Sequence, residues 1–243
     1  MKLCLAGTGL LKNHPDDLKK SRYLLESYYS VQEWQIPFFK ACDFFLLDSG
    51  AFTFMNSQKG PVDFDAYLRG YAEFINRHHI QHFFELDVDC IVGYERVKEM
   101  RKTLERETGA RCIPVWHKSR GLDDFIATAK EYDYMAIGGI VTKEIPPPQW
   151  PHLEKLITIA HVNGCKIHGL GFTSSAHLGR YHFDSVDSTT WTVGCRFGNV
   201  CKIKDGKMTQ VHYDGKRVAD RDGLMLYNFR TWCQFQAYVD LHY

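Results

Sequence analysis

The chain of 243 residues contains no apolar run near the ~20 residues that a bilayer-crossing helix needs, which excludes a sequence-evident membrane anchor. Its first residues, Met-Lys-Leu-Cys-Leu-Ala-Gly, turn polar too soon for a secretory signal. Net charge is only +1, so no global field advertises a nucleic-acid partner, and any such partner must meet a local basic patch. The eight cysteines, Cys4, Cys42, Cys90, Cys112, Cys165, Cys195, Cys201 and Cys233, form no group with structural-zinc spacing. Cys195, Cys201 and His212 come nearest, with the wrong gaps. Several lie in apolar runs, as buried thiols do in a reducing compartment. There is no repeat and no low-complexity linker, so residues 1–243 are expected to form one domain. These absences lead to the expectation of a cytoplasmic protein with no membrane contact, no metal and no cofactor.

The material for a core is ample: 44% of residues are hydrophobic and 24% are charged. Short apolar runs alternate with longer amphipathic stretches. Strands are predicted at 3–6, 44–47, 83–88, 113–116, 134–140, 166–171 and 183–187, with an eighth at 200–203 or 210–213. Helices are predicted over most of 15–40, where Leu18, Tyr23, Leu24 and Tyr28 suggest one face, and over 63–78, 94–107, 122–131, 150–163, 174–180 and 224–240. The Pro146-Pro147-Pro148 run stops regular structure. Strand–helix alternation implies a parallel sheet. About eight such units in a chain of this length point to an α/β fold of the closed (β/α)8 TIM-barrel type, with an open doubly wound sheet as the alternative.

Polar residues collect at the predicted strand ends: Asp48, Asp87, Asp89, His117, Gly138, Gly171 and Asp187. In a barrel those ends form one face, where active sites sit. Asp48-Ser49-Gly50-Ala51-Phe52 combines a carboxylate, a glycine that permits a sharp turn or close approach, and a flat ring for a planar ligand. Glu85, Asp87 and Asp89 alternate, and three carboxylates cannot all be buried and charged together. They require donors such as the N–H edge of a base, or a cation, for which Asp-x-Asp is a fair hard-ligand pair. Gly138 and Gly139 bring bare backbone to the mouth. His117 and His168 read mainly as core or supporting histidines. In Phe183-Asp184-Ser185-Val186-Asp187-Ser188-Thr189-Thr190-Trp191, Asp184 and Asp187 are an odd number of positions apart and face opposite sides of a regular strand. Asp187 lies nearer the C-terminal end and is the preferred nucleophile; Asp184 is the alternative.

Taken in order, these segments resemble the tRNA-guanine transglycosylase superfamily. Leu47 to Phe52 resembles its D-S-G-x-F motif, and Leu86-Asp87-Val88 its base-recognition strand. Tyr134-Met135-Ala136-Ile137-Gly138-Gly139-Ile140 resembles its Y-A-I-G-G-L segment. His168-Gly169-Leu170-Gly171 followed by Asp187-Ser188-Thr189-Thr190-Trp191 resembles its closing Gly-x-Gly strand and nucleophile. The resemblance covers roughly residues 43–191. Val115-Trp116-His117 stands where the family has V-Q-G, so His117 or Trp116 replaces a base-contacting glutamine. No zinc-binding subdomain follows the nucleophile. In that respect the chain is similar to the DNA-modifying branch, often phage-encoded, which makes DNA the favoured polymer and tRNA the alternative.

The resemblance implies that Asp187 attacks the anomeric carbon of a guanosine-type nucleotide and that Asp48 serves as general acid and then base. A 7-deazaguanine such as preQ0 would replace guanine, stacking on Phe52 and meeting Ser49, Gly50, Asp87, His117, Gly138, Gly139 and Gly171. The target base must leave a duplex or come from a single strand. For phosphate contacts, Arg196, Lys202 and Lys204, with Lys207, Lys216 and Arg217, are the better-placed group. Arg96, Lys98, Arg101, Lys102 and Arg106 read more simply as a solvated helix face. Rival readings are a glycosylase that lets water resolve the adduct, a metal-dependent hydrolase using Asp87, Asp89, His117 and His168, and a non-catalytic nucleic-acid-binding relative.

Overall fold

A seven-stranded parallel sheet runs β3-β2-β1-β7-β6-β5-β4 in the computed structural model, which describes residues 1–51, 53, 62–212 and 220–243, without the side chains of 195 and 196. Its strands are β1 (Lys2–Leu5), β2 (Tyr23–Ser27), β3 (Phe44–Asp48), β4 (Val115–Trp116), β5 (Tyr134–Ile137), β6 (Lys166–Gly169) and β7 (Ser185–Ser188). Helices α1 (Ile36–Ala41), α2 (Phe64–His78), α3 (Asp89–Val92), α4 (Tyr94–Thr108), α5 (Gly121–Glu131), α6 (Pro151–Val162), α7 (Thr190–Phe197) and α8 (Arg221–His242) lie between and after them. The observed architecture is therefore α/β with a parallel sheet. Among the described residues no helix is long and apolar enough to cross a membrane.

The sheet curls. Laid flat, its edge strands β3 and β4 would stand roughly 29 Å apart at about 4.8 Å per strand. Yet one short segment reaches both: Leu47 donates to the His82 carbonyl and Phe84 to Leu47, while Ile113 donates to Phe83 and Glu85 to Ile113. These are single parallel bridges, Leu47 with Phe83 and Phe84 with Ile113. The predicted strand over 83–88 is thus corrected to a pair of bridges, and the expected set of eight regular strands to seven. Beyond Glu85 the chain turns, with Val88 donating to the Leu86 carbonyl, because its three acids are drawn to cations on different elements.

Two further expectations are corrected. Residues 15–40 are not mostly helix: β2 occupies the middle, flanked by 3-10 turns at Pro15–Lys20 and Glu33–Gln35. Tyr23, Leu24 and Leu25 are buried in succession, the mark of a strand covered on both faces rather than of a helical stripe. The predicted eighth strand is instead an antiparallel hairpin, β8 (Asn199–Lys204) and β9 (Lys207–His212), outside the main sheet. Asp205 and Gly206 at its turn both have positive φ, 50° and 69°, as a two-residue turn matched to strand twist requires. Within 174–180, residues 175–180 form turns rather than the predicted helix.

Strand alternation sorts the core into layers. Cys4, Ala6, Tyr23, Leu25, Leu46, Phe84, Ile113, Val115 and Ala136 pack together on the concave side, whereas Leu3, Leu5 and Leu24 pack outward under the helices. The helices end where local chemistry stops them. Asp63 caps α2 by accepting from the Ala66 amide at 2.9 Å, and His79 closes it in the left-handed region. The last helix, α8, braces β1 and β2 from below: Gln236 donates to the carbonyls of Leu3 and Tyr23 and accepts from the Arg22 amide.

Candidate active site

The C-terminal strand ends bring three carboxylates into one electrostatic neighbourhood. Asp48 is the last residue of β3; Asp187 pairs with Cys4 in the β1–β7 register; Asp87 follows the bridging segment. Asp48 is pushed up to about 7, first by burial and next by the charge of Asp87, with that of Asp187 adding to it. The Gly50 amide, donating to Asp48 Oδ2 at 2.9 Å, only partly offsets this. Gly50 sits at φ +86°, and a Cβ there would fall 2.7 Å from Tyr29 Cβ, so both conformation and space demand glycine. Ser49 is fully buried; its carbonyl accepts from the Tyr67 hydroxyl at 2.7 Å. Phe52, the expected stacking ring, lies outside the described residues.

Asp187 is 9% exposed and its carboxylate is held from one side. Oδ1 accepts from the Gly171 amide at 2.6 Å and faces His168 Nε2 at 3.2 Å. Gly171, expected at the substrate, therefore serves the carboxylate. It has φ +66°, and a Cβ there would collide with Val141. Asp184 lies just before β7, at the opposite end of the strand. It accepts from the Ile167 amide at 2.8 Å and pairs with His161 at 2.9 Å, so it ties two elements together away from the other two acids.

Asp87 is 7% exposed and meets His117 Nε2 at 3.1 Å. The other ring nitrogen faces Glu144 at 3.2 Å. Burial works against charging His117, but the hydrogen bond and charge of Asp87, helped by Asp89, outweigh it and raise the imidazole to about 9. Burial raises Asp87, opposed by its bond to His117. His117 thus orients Asp87 with both ring nitrogens engaged. Gly138 makes room for that ring, since a Cβ would fall 2.6 Å from His117 Cε1. The Gly138 amide is already bonded to the Trp116 carbonyl at 2.9 Å and is not free for a ligand. Gly139, at φ +79°, has no acceptor for its amide among the described residues.

Glu85 and Asp89 are satisfied within the protein. Glu85, fully buried, binds Arg101 Nε at 2.6 Å, Arg120 Nη1 at 3.2 Å and the Val115 amide at 2.8 Å. Arg120 also binds Asp89 at 3.0 Å. The expected sharing of one strand face by the three acids fails, since the backbone turns after Glu85, and Asp87 alone of them joins Asp48 and Asp187. Nor do Asp87, Asp89, His117 and His168 converge as a metal set, and no group of three or more metal-binding side chains occurs among the described residues.

Four of the first basic group are spent on local partners: Arg96 pairs with Asp65 and Glu99, Lys98 with Glu95, Arg106 with Glu107, and Arg101 is buried on Glu85, while Lys102 stands exposed with no ion pair among the described residues. Lys202, Lys204 and Lys207 stand exposed on the β8–β9 hairpin, with no ion pair among the described residues. The side chain of Arg196, and Lys216 and Arg217, lie outside the described residues. What sequence reasoning missed is the support behind the carboxylates: Glu144 on His117, and Ser185 and Tyr134 behind His168. Their signal was faint, because contacts between neighbouring strands leave no spacing pattern along the chain. The sequence matches no family model, and no curated protein matches it significantly.

Proposed function

We propose that the protein is a base-exchange transglycosylase that replaces guanine in a polynucleotide, DNA by preference, with a 7-deazaguanine such as preQ0. In this reading the curled sheet and the bridging segment 83–85 work as a (β/α)8-type barrel in a cytoplasmic enzyme. The observation that carries it is the placing of two carboxyls in one electrostatic neighbourhood: Asp48, raised to about 7 in part by the charge of Asp187, and Asp187, which His168 and the Gly171 amide engage on Oδ1 alone. An acid that holds its proton near neutral pH and a second carboxyl with an oxygen open to a ligand are what acid-assisted glycosyl transfer requires. Asp187 attacks C1′ and guanine leaves with the proton of Asp48. The incoming base loses its proton to Asp48 and displaces Asp187. Asp87, fixed by His117, accepts from the N–H edge of the base, and Gly139 supplies a backbone donor. Arg196, Lys202 and Lys204 meet phosphates.

Mass spectrometry of nucleosides from DNA and from tRNA, each incubated with the protein and preQ0, tests the reading. Expected is a 7-deazaguanine nucleoside in DNA with release of one guanine for each one incorporated. Guanine release without incorporation would replace the reading with hydrolysis; modified tRNA with unmodified DNA would replace the polymer; no change in either would reject exchange.

A further inference from the structure

Behind Asp187 runs a line of buried polar groups across three neighbouring strands. His168 on β6 is fully buried, with Nε2 facing Asp187 Oδ1 and Nδ1 facing Ser185 Oγ. Ser185, 1% exposed on β7, also meets the Tyr134 hydroxyl from β5. With a neutral ring the protons fit one way. Nε2–H donates to the carboxylate, so Nδ1 accepts from Ser185, and Ser185 accepts from Tyr134. Burial pushes the Tyr134 hydroxyl up, which keeps it a donor at the end of the line. Phe84 seals the imidazole at 5.2 Å between ring centres. Both donors to Asp187, His168 and the Gly171 amide, act on Oδ1; Oδ2 accepts from no described residue.

We propose that His168 is a positioning residue for the covalent chemistry: with Gly171 it occupies Oδ1, making Oδ2 the oxygen that bonds the sugar carbon. This inference rests on the proposed role of Asp187. In the first step the Oδ2–C1′ bond forms, and the C1′–N bond breaks with its electron pair going to the leaving base, which takes the proton of Asp48. In the second, the nitrogen of the incoming base bonds C1′ and gives its proton to Asp48, while the Oδ2–C1′ pair returns to the carboxylate. A hydrogen bond to Oδ1 is stronger to the full carboxylate than to the ester carbonyl. His168 therefore assists departure of Asp187 more than its attack.

The test compares His168→Leu, which has no donor, with His168→Gln, whose amide can supply one. Leu is expected to lower kcat about 10–100-fold, leave the KM of the incoming base within about twofold and raise the steady-state fraction of covalent adduct; Gln recovers most of the rate. A folded Leu variant with wild-type kcat, or a Gln variant no better than Leu, overturns the proposal. Nitrogen NMR of histidine-labelled protein gives a readout independent of turnover. The signal lost in His168→Gln is expected to show the Nε2–H tautomer and to shift in Asp187→Asn; an Nδ1–H tautomer indifferent to Asp187→Asn overturns the geometry. Active wild-type protein with an indifferent His168→Leu removes this inference alone. Wild-type protein that forms no adduct removes the transglycosylase reading and this role with it.

Discussion

Two clusters of buried carboxyls meet at one short segment, which gives Glu85 and Asp89 to the first and Asp87 to the second, and they are built on opposite terms. In the first, Glu85 is enclosed by Arg101, Arg120 and the Val115 amide, and Asp89 shares Arg120, so the carboxylates meet opposite charge on the spot. In the second, Asp48 and Asp187 meet backbone amides and a histidine but no arginine or lysine, and Asp187 keeps an oxygen without a protein donor among the described residues. The first cluster satisfies its carboxylates, though Arg101 and Arg120 each keep a buried Nη2 without a partner, and it holds helix α4 and the 118–121 turn to the bridging segment. The second is left chemically hungry, as a site that must bind and react with something else would be.

The comparison can be broken at several points. Asp187→Ala is expected to reduce base exchange on the order of 10³-fold or more, while Asp184→Ala stays within a few-fold; equal losses in the two variants would erase the distinction between the ends of β7. Asp48→Asn is expected to cost about 10²–10⁴-fold in exchange, read from single-turnover rates.

The same Asp48→Asn variant should gain stability at alkaline pH. Because the folded chain holds the Asp48 proton more tightly than the unfolded chain, the stability it contributes is full below the ordinary carboxylate pKa and drains away as pH rises through about 7. Above that the wild type bears a buried charge that Asn lacks, so thermal melts at pH 8 should favour Asn by on the order of 2 kcal/mol.

In the arginine cluster, Glu85→Gln leaves Arg101 and Arg120 poorly paired and should cost about 3–5 kcal/mol in chemical denaturation; a neutral result would show that these ions are hydrated. His117→Gln should act on pH dependence. His117 is raised in the fold, so its contribution is full below its ordinary pKa and is lost as pH rises through about 9. The variant should flatten that alkaline decline, worth on the order of 1–2 kcal/mol. Smallest of all, Lys202→Ala and Lys204→Ala should each lower the salt slope of DNA binding by about one, with little effect on which base is exchanged.

Much of the sheet was readable in the chain because its strands are short, apolar and spaced by amphipathic helices; β1, β3, β5 and β6 begin within a residue of expectation. β2 was hidden because Leu18, Tyr23, Leu24 and Tyr28 happen to mimic a helical face. The hairpin was half hidden: Asp205-Gly206 is a strong turn signal, yet either flanking run has the length and apolar character of a barrel strand. That Asp48, Asp87 and Asp187 share one neighbourhood was legible from their positions at predicted strand ends. The functions of Gly50, Gly171 and Gly138 could not, since what distinguishes them is whose side chain their missing Cβ and their amide accommodate. Nor could the partition of Glu85, Asp87 and Asp89 between structure and site, which depends on arginines and a histidine from other elements.

The central claim is that Asp187 Oδ2 bonds the sugar. It is tested most directly by quenching the protein with a guanine-containing DNA strand and no incoming base, then mapping the attached sugar by peptide mass spectrometry. An adduct on Asp187 that disappears when preQ0 is added is the expected result. An adduct on Asp184, or active exchange with no adduct on any carboxylate, would contradict it.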